Sequence, residues 1–379
     1  MQSVGAKKRV LLVYAVPYSG HAQAAAALHA ALLNTQEVEV EEYHFLQQFK
    51  YTGAAVVQFY KWILTNLPSV WGHVHNNSDY RGLSDALIHA MQEWDILGLL
   101  KRVEQWKPDV IVAIQAFPLR ILGEAKQQGR LTVPLMVVTT DFWAHQYWAH
   151  PAVDCYFVAN DRVKRDLMQQ KIQEKRIIRT GIPLRPVFEK QLPSKRAARI
   201  QLGWSMKDKV VLCMGGSYGF VPFEELMTQC RRSPPKEGER WVFLFGNNKK
   251  GFEEAEKALA ASTVQEHVRL YGFREDVEVF MRASDVFITK PGGLSVSEAL
   301  VCHLPLILYK PLPGQEQKNA TYLVRAGLAK KVGTVSQAVR EVRHFFEEKT
   351  TSRQSPSSRK DAQPRAATKI ARTIVQKLV

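Results

Sequence analysis

The chain has 379 residues, 46% of them hydrophobic, which suits two domains of ordinary size and excludes a disordered protein. A net charge of +16 and a pI of about 9.6 favour an anionic partner, whether phosphate-bearing substrate, anionic membrane or nucleic acid. The 4 scattered cysteines point to neither a zinc site nor a disulfide framework, no signal peptide opens the chain, and no apolar run approaches the roughly 20 residues of a spanning helix.

Arg9 to Ala15 (RVLLVYA) is a continuous apolar run of the kind buried in parallel sheets. Pro17-Tyr18-Ser19-Gly20-His21 breaks it, and Ala22 to Leu33 reads as a helix of high propensity. His21 therefore falls at a strand-to-helix turn, where open α/β sheets place ligands at the carboxyl ends of their strands. Taken alone, a histidine there is more often a cap or a surface residue than a catalyst. Phe45 to Trp71 is dense in aromatics, Phe59, Trp62 and Trp71 among them, with Lys50 and Lys61 between. It admits two readings, a core helix packed on the sheet or a helix with its aromatic face in a membrane interface.

Val110 to Gln115 and Val133 to Thr140 are further strands, the second running into Asp141 and then into an aromatic, His-rich stretch, Phe142 to His150. Asp154 to Ala159 is a strand, Pro118 to Gln128 and Asp161 to Gln170 are helical. Strand alternating with helix predicts a doubly wound α/β fold with a parallel sheet. Prolines near residue 186 followed by Lys195-Arg196 mark a boundary, after which the pattern restarts.

Lys209 to Met214 is a strand ending at Gly215-Gly216-Ser217, a glycine-rich turn able to cradle a pyrophosphate through its amides. It matches neither G-x-G-x-x-G nor the P-loop. Val268 to Tyr271 is a strand ending at Gly272-Phe273. Asp285 to Thr289 leads into Lys290-Pro291-Gly292-Gly293 and a helical pattern over Ser295 to Leu300. Glycines there allow close approach of a ligand, the amides of a helix start make an anion site, and Glu298, one turn in, can reach a ribose diol. A plain turn with a surface Glu fits the spacing equally well. Gln315 and Glu316, at a loop-to-helix start, can hydrogen-bond hydroxyls or simply cap. Residues 348–366, rich in Ser, Thr, Lys, Arg and Pro, read as a flexible basic linker, and residues 367–379 as a closing helix. No nucleic-acid motif accompanies the positive charge.

Taken together, Ser19-Gly20-His21, Thr140-Asp141-Phe142 with His145, Trp148 and His150, Gly181-Ile182-Pro183, Gly215-Gly216-Ser217, Gly272-Phe273, Lys290-Pro291-Gly292-Gly293 with Glu298, and Pro313-Gly314-Gln315-Glu316 with Asn319 form an ordered set. The set resembles the glycosyltransferases of membrane glycolipids, the processive diacylglycerol glucosyltransferases and the monogalactosyldiacylglycerol synthases, and more distantly the lipid II GlcNAc transferase. The resemblance covers roughly Arg9 to Leu328.

The resemblance implies a GT-B fold, two Rossmann-like domains with a cleft between them. Residues 1–186 would take the lipid acceptor, with 45–71 meeting the membrane, and residues 187–340 the UDP-sugar. By matched position His21 is the catalytic base, with Asp141 orienting or assisting it. Glu298 is the ribose ligand. Gly216, Ser217, Gly292 and Gly293 lie near the diphosphate, Gly215, Pro291, Ser295 and Asn319 belong to the same UDP-sugar site, and the backbone around Phe273 holds the uracil. Gln315 and Glu316 contact the hexose, while Trp148 and His145 lie towards the acceptor. The implied partners are a UDP-hexose, diacylglycerol and an anionic membrane surface, with no nucleic acid. No cofactor and no essential metal are expected, and the implied place is cytoplasmic, peripheral at the inner face of the cell membrane. Relatives carry a glycine-richer loop before the histidine, so Tyr18 and Ser19 predict a stiffer loop and a narrower acceptor pocket. A polyprenyl-diphosphate sugar as acceptor, an epimerase, and a UDP-sugar sensor without turnover are the competing readings.

Overall fold

The computed structural model describes residues 7–16, 19–44, 98–216, 223–312, 314–347 and 361–378. The aromatic segment 45–71, Tyr18, Ser217 and the linker residues 348–360 lie outside them. The chain divides into two units. Met1–Glu189, Leu312–Lys318 and Pro364–Val379 form the first; Lys190–Pro311 and Asn319–Gln363 form the second.

In chain order the first unit holds β1 (Lys8–Tyr14), α1 (Gly20–Leu33), β2 (Val38–His44), α2 (98–106), β3 (Val110–Ala113), α3 (Ala116–Gln127), β4 (Leu135–Val138), β5 (Cys155–Val158), α4 (Asp161–Gln169), β6 (Ile177–Arg179) and α5 (Pro186–Glu189). Its six described strands run in the order β2-β1-β3-β4-β5-β6, every pair parallel. β3, β4 and β5 are buried at every residue, which is why they read as unbroken apolar runs rather than alternating ones. β2 differs, a sheet edge with Glu39, Glu41 and Glu42 among its seven residues. Helix α3 starts at Ala116, ahead of the expected Pro118, because proline is well suited to a first turn, where its missing N–H has no partner to lose.

The second unit holds α6 (Lys195–Leu202), β7 (Lys209–Met214), α7 (Phe223–Arg232), β8 (Glu239–Leu244), α8 (Lys249–Ala260), β9 (Val268–Tyr271), α9 (Val277–Ala283), β10 (Val286–Thr289), α10 (Gly293–Val301), β11 (Leu306–Tyr309), α11 (Gln315–Arg325, whose first turn groups with the first unit), β12 (Ala329–Val332) and α12 (Val335–Glu347). Its strands, again parallel, run β12-β11-β10-β7-β8-β9. A core of Phe223, Trp241, Phe243, Phe245 and Tyr309 packs on this sheet, with the rings of Phe223 and Phe243 edge to face at 5.1 Å.

One device recurs in both sheets. An aspartate just before a strand accepts the first or second amide of the neighbouring strand. Asp109 takes Arg9 N at 2.8 Å, Asp154 takes Leu135 N at 2.7 Å, and Asp285 takes Val210 N at 2.7 Å. Each pins register at the amino end of the sheet and leaves the carboxyl end for other work. Asp285 also pairs with Arg199, 2.8 Å away; that guanidinium is 1% exposed and donates as well to Ala283 O, Ser205 O and Met206 O. So buried a charge is tolerable because its donors are met.

The last helix, α13 (Ala366–Leu378), returns to the first unit. Glu189 caps it, accepting Ala367 N at 2.8 Å and Thr368 N at 3.2 Å, and a carboxylate suits the positive end of a helix. Ile370, Ala371 and Ile374 are fully buried, and the helix packs on α1. Its apolar face is thus taken up by the protein.

Candidate active site

The strand order of the first sheet reverses direction between β1 and β3, the point where an open α/β sheet leaves a crevice beyond its carboxyl ends. His21 stands there. The turn that carries it is held from both sides. Gln115, just after β3, accepts the amide of Ala15 at 2.9 Å. Ser19 caps α1, its Oγ accepting Ala22 N at 3.3 Å and donating to Val16 O at 2.6 Å. Ser19 therefore has a defined job in this loop.

The imidazole Nδ1 of His21 lies 3.1 Å from Ile114 O and 2.8 Å from Thr140 Oγ1. A backbone carbonyl can only accept, so Nδ1 carries the hydrogen and Nε2 is the basic nitrogen. Burial lowers the pKa of His21 to about 4, against a smaller upward pull from the bond to Ile114. The ring is neutral near pH 7 and able to receive a proton.

Asp141, one residue beyond Thr140, is 6% exposed, and the amide of Gln315 donates to its carboxylate. Glu316 accepts Leu312 N at 2.8 Å, a capping contact at the start of α11. Lys318 lies over the Trp143 ring at 5.4 Å. His145 is buried and caps the 3-10 turn Gln146–Trp148, its Nδ1 accepting Tyr147 N at 3.2 Å. Trp148 is 1% exposed and packs on the His145 ring at 5.9 Å. Phe59, Trp62 and Trp71 fall outside the described residues. His150 accepts Ala152 N at 3.2 Å and lies where a Cβ on Gly123 would meet its ring at 2.5 Å, a packing role.

In the second sheet the order reverses between β7 and β10. The two glycine turns picked out from sequence, Gly215-Gly216 and Pro291-Gly292-Gly293, follow these two strands, and Thr289 Oγ1 ties their ends together through Met214 O at 2.8 Å. Gly216 has φ +72°, and a Cβ there or at Gly292 would meet no atom of the described residues within 4 Å. Helix α10 starts at Gly293, two residues ahead of the expected Ser295, and its cap, Gly292, has no side chain with which to bond the first amides. Such a start offers N–H groups and positive potential to an anion. Ser295 lies half-buried in this first turn, and Glu298 is 5% exposed one turn further on. Asn319, 1% exposed, donates to Pro291 O at 3.2 Å and so braces the turn. Phe273, after β9 at the same end of the sheet, is 61% exposed. Ser217 lies outside the described residues.

Ile114 and Gln115 were not legible as site residues, and Thr140, though part of the Thr140-Asp141-Phe142 string, had no role assigned to it. An apolar residue acting through its carbonyl leaves no mark in a sequence, and a threonine ending a strand is ordinary. Among the described residues no three His, Cys, Asp or Glu side chains gather as a metal site, and no helix is long and apolar enough to cross a membrane.

Residues 21–184 match the family model of monogalactosyldiacylglycerol (MGDG) synthase, and residues 194–363 that of glycosyl transferases group 1. A processive diacylglycerol beta-glucosyltransferase of Bacillus cereus is 35% identical over 236 residues, which are 62% of this chain and 58% of that relative. The protein of that name from Bacillus subtilis is 28% identical over 370 residues, 93% of this chain and 91% of the relative. Among solved structures, MurG of Acinetobacter baumannii aligns with a TM-score of 0.63 at 15% identity over 98% of this chain and 99% of its own, and S. aureus MnaA with UDP at 0.61 and 17% over 98% of each. These likenesses show the fold, and with the two doubly wound units it is GT-B.

Proposed function

We propose that this chain acts as do the diacylglycerol glucosyltransferases and monogalactosyldiacylglycerol synthases it resembles, moving a hexose from a UDP-sugar to the hydroxyl of diacylglycerol at a membrane surface, with inversion. The observation that carries this reading is His21, a neutral imidazole at a sheet's switch point with Nδ1 engaged and Nε2 basic. An alcohol is a poor nucleophile near neutral pH. Nε2 takes its proton as the oxygen attacks the anomeric carbon, a general-base contribution of about 10²–10⁴-fold. The new C–O bond forms as the bond to the diphosphate breaks, and UDP leaves with the electron pair. The charge that grows on the diphosphate is met by amides at Gly216 and at the start of α10, donors that need no reorganisation. One displacement turns an α-linked donor into a β-linked product, in keeping with the name of the Bacillus relatives. Glu298 takes the ribose hydroxyls, and the backbone after β9 the uracil. Asp141 and Gln315 serve the reacting centre. Metal is not required in this scheme.

The net charge of +16 supports work at an anionic surface. The test uses purified protein, dioleoylglycerol in anionic vesicles and chelator, with UDP-glucose and UDP-galactose offered separately. A β-linked glycosyl-diacylglycerol from one of the donors is the expected result, and resolving the lipids also counts the sugars added. No lipid product from either donor, with UDP still bound, would overturn the acceptor assignment. A polyprenyl-diphosphate sugar offered alongside would then show whether another lipid is used.

A further inference from the structure

β4 is followed by two adjacent threonines that do different things. Thr139 belongs to the sheet, its amide donating to Phe157 O at 3.0 Å and its Oγ1 to the same carbonyl at 3.4 Å. Thr140 turns the other way. It is 3% exposed, and its Oγ1 reaches His21 Nδ1 at 2.8 Å across 119 residues of chain. We propose that Thr140 is a positioning residue for the transfer reaction: with Ile114 O it holds His21 as the Nδ1–H tautomer, presents Nε2 to the acceptor hydroxyl, and steadies the imidazolium that forms when Nε2 takes the proton. This rests on the reading of His21 as the base.

The argument is one of geometry and charge. Ile114 O compels Nδ1 to be the donor. Oγ1 of Thr140 then accepts the second arm of a shared hydrogen bond. Two acceptors on different strands' ends define the ring plane, where one alone would leave it free to swing. In the resting enzyme these are bonds to a neutral ring. Once Nε2 is protonated, Nδ1–H becomes a charge-assisted donor, and bonds of that kind are about twice as strong. The contacts therefore strengthen as the reaction advances, which is the condition for raising turnover rather than ground-state binding. A hydroxyl does this without bringing a second charge into a buried site that already disfavours ionisation. The competing explanation is that Thr140 is a buried hydroxyl that simply needs a partner. A hydroxyl serving only packing would affect stability and leave the rate and the tautomer alone.

The test compares Thr140→Val, which removes Oγ1 at nearly constant shape, with Thr140→Ser, which keeps it. With diacylglycerol vesicles and UDP-hexose, Thr140→Val should lower kcat roughly 10- to 100-fold, the range for a hydrogen bond to a charged group, with the KM for donor little changed. Thr140→Ser should restore most of the rate. Long-range ¹⁵N–¹H spectra of protein labelled at histidine, with His21 identified through His21→Gln, should show protonated Nδ1 and bare Nε2 in the unaltered protein, and mixed tautomers in Thr140→Val. Wild-type kcat in a folded Thr140→Val protein, or protonated Nε2 in the unaltered protein, overturns the inference. The second readout stands even if the valine variant does not fold. If His21→Ala retains turnover, the general-base reading fails as a whole. If His21→Ala is inactive while Thr140→Val keeps full rate, only the role of Thr140 fails.

Discussion

Beyond β1 the first unit presents a ring held by two oxygens, whereas beyond β7 and β10 the second presents bare glycine backbone. Both sites lie where a parallel sheet reverses its strand order, and both sheets are registered at the opposite end by aspartates on neighbouring amides. The difference follows from what each is proposed to handle. Proton transfer depends on one atom's basicity and direction, so the first unit uses a side chain locked by neighbours. A diphosphate is large and its charge is spread over many oxygens, so the second uses backbone amides at glycine turns.

That contrast can be broken in several ways. The largest expected effect is on the scaffold of the first site. Helix α1 carries His21 and is covered by α13, so Ile374→Ala, at a fully buried position, should cost about 2–5 kcal/mol in denaturant unfolding. UDP affinity measured below the transition should be unchanged; its loss would argue that the two sites do not depend on separate supports. Acid comes next. Burial lowers the pKa of His21 from 6.5 to about 4, so the unfolded chain binds more protons in that interval and stability falls as pH drops through it. The upper bound is about 3 kcal/mol, present in full above pH 6.5 and gone below 4, and His21→Gln should flatten that part of the stability profile. A profile equally steep in the variant would assign the acid sensitivity to other histidines; His44 and His150 are also shifted down by burial.

Smaller effects probe the second site. Glu298→Gln should weaken UDP binding about 10- to 100-fold, as for a hydrogen bond to a charged group, while leaving the His21 tautomer unaltered. Gly216→Val puts a branched side chain at φ +72°, where no atom of the described residues lies within 4 Å of a Cβ and the backbone cost is about 1–2 kcal/mol. The expected result is a roughly tenfold weaker UDP affinity as the turn relaxes. Unchanged affinity in both variants would remove these turns from the donor site.

Much of this was legible in the sequence because buried parallel strands are continuous apolar runs and glycine turns interrupt them, as at β7 and β10. The edge strand β2 was not, since alternation of Val38 and Val40 with glutamates offers no such run. Nor was the pairing of Thr140 with His21, since strand order, and not proximity in sequence, brings those residues together. Trp148 and His145 show the opposite limit. Their residue types suit a lipid-facing surface, yet both are buried, one packed on the other.

The most direct test of the account is His21→Ala, measured for turnover on dioleoylglycerol vesicles and for UDP affinity in one preparation. The account predicts turnover lower by about 10²–10⁴-fold with the UDP dissociation constant unchanged. Turnover near that of the unaltered protein, with UDP bound as before, would contradict it.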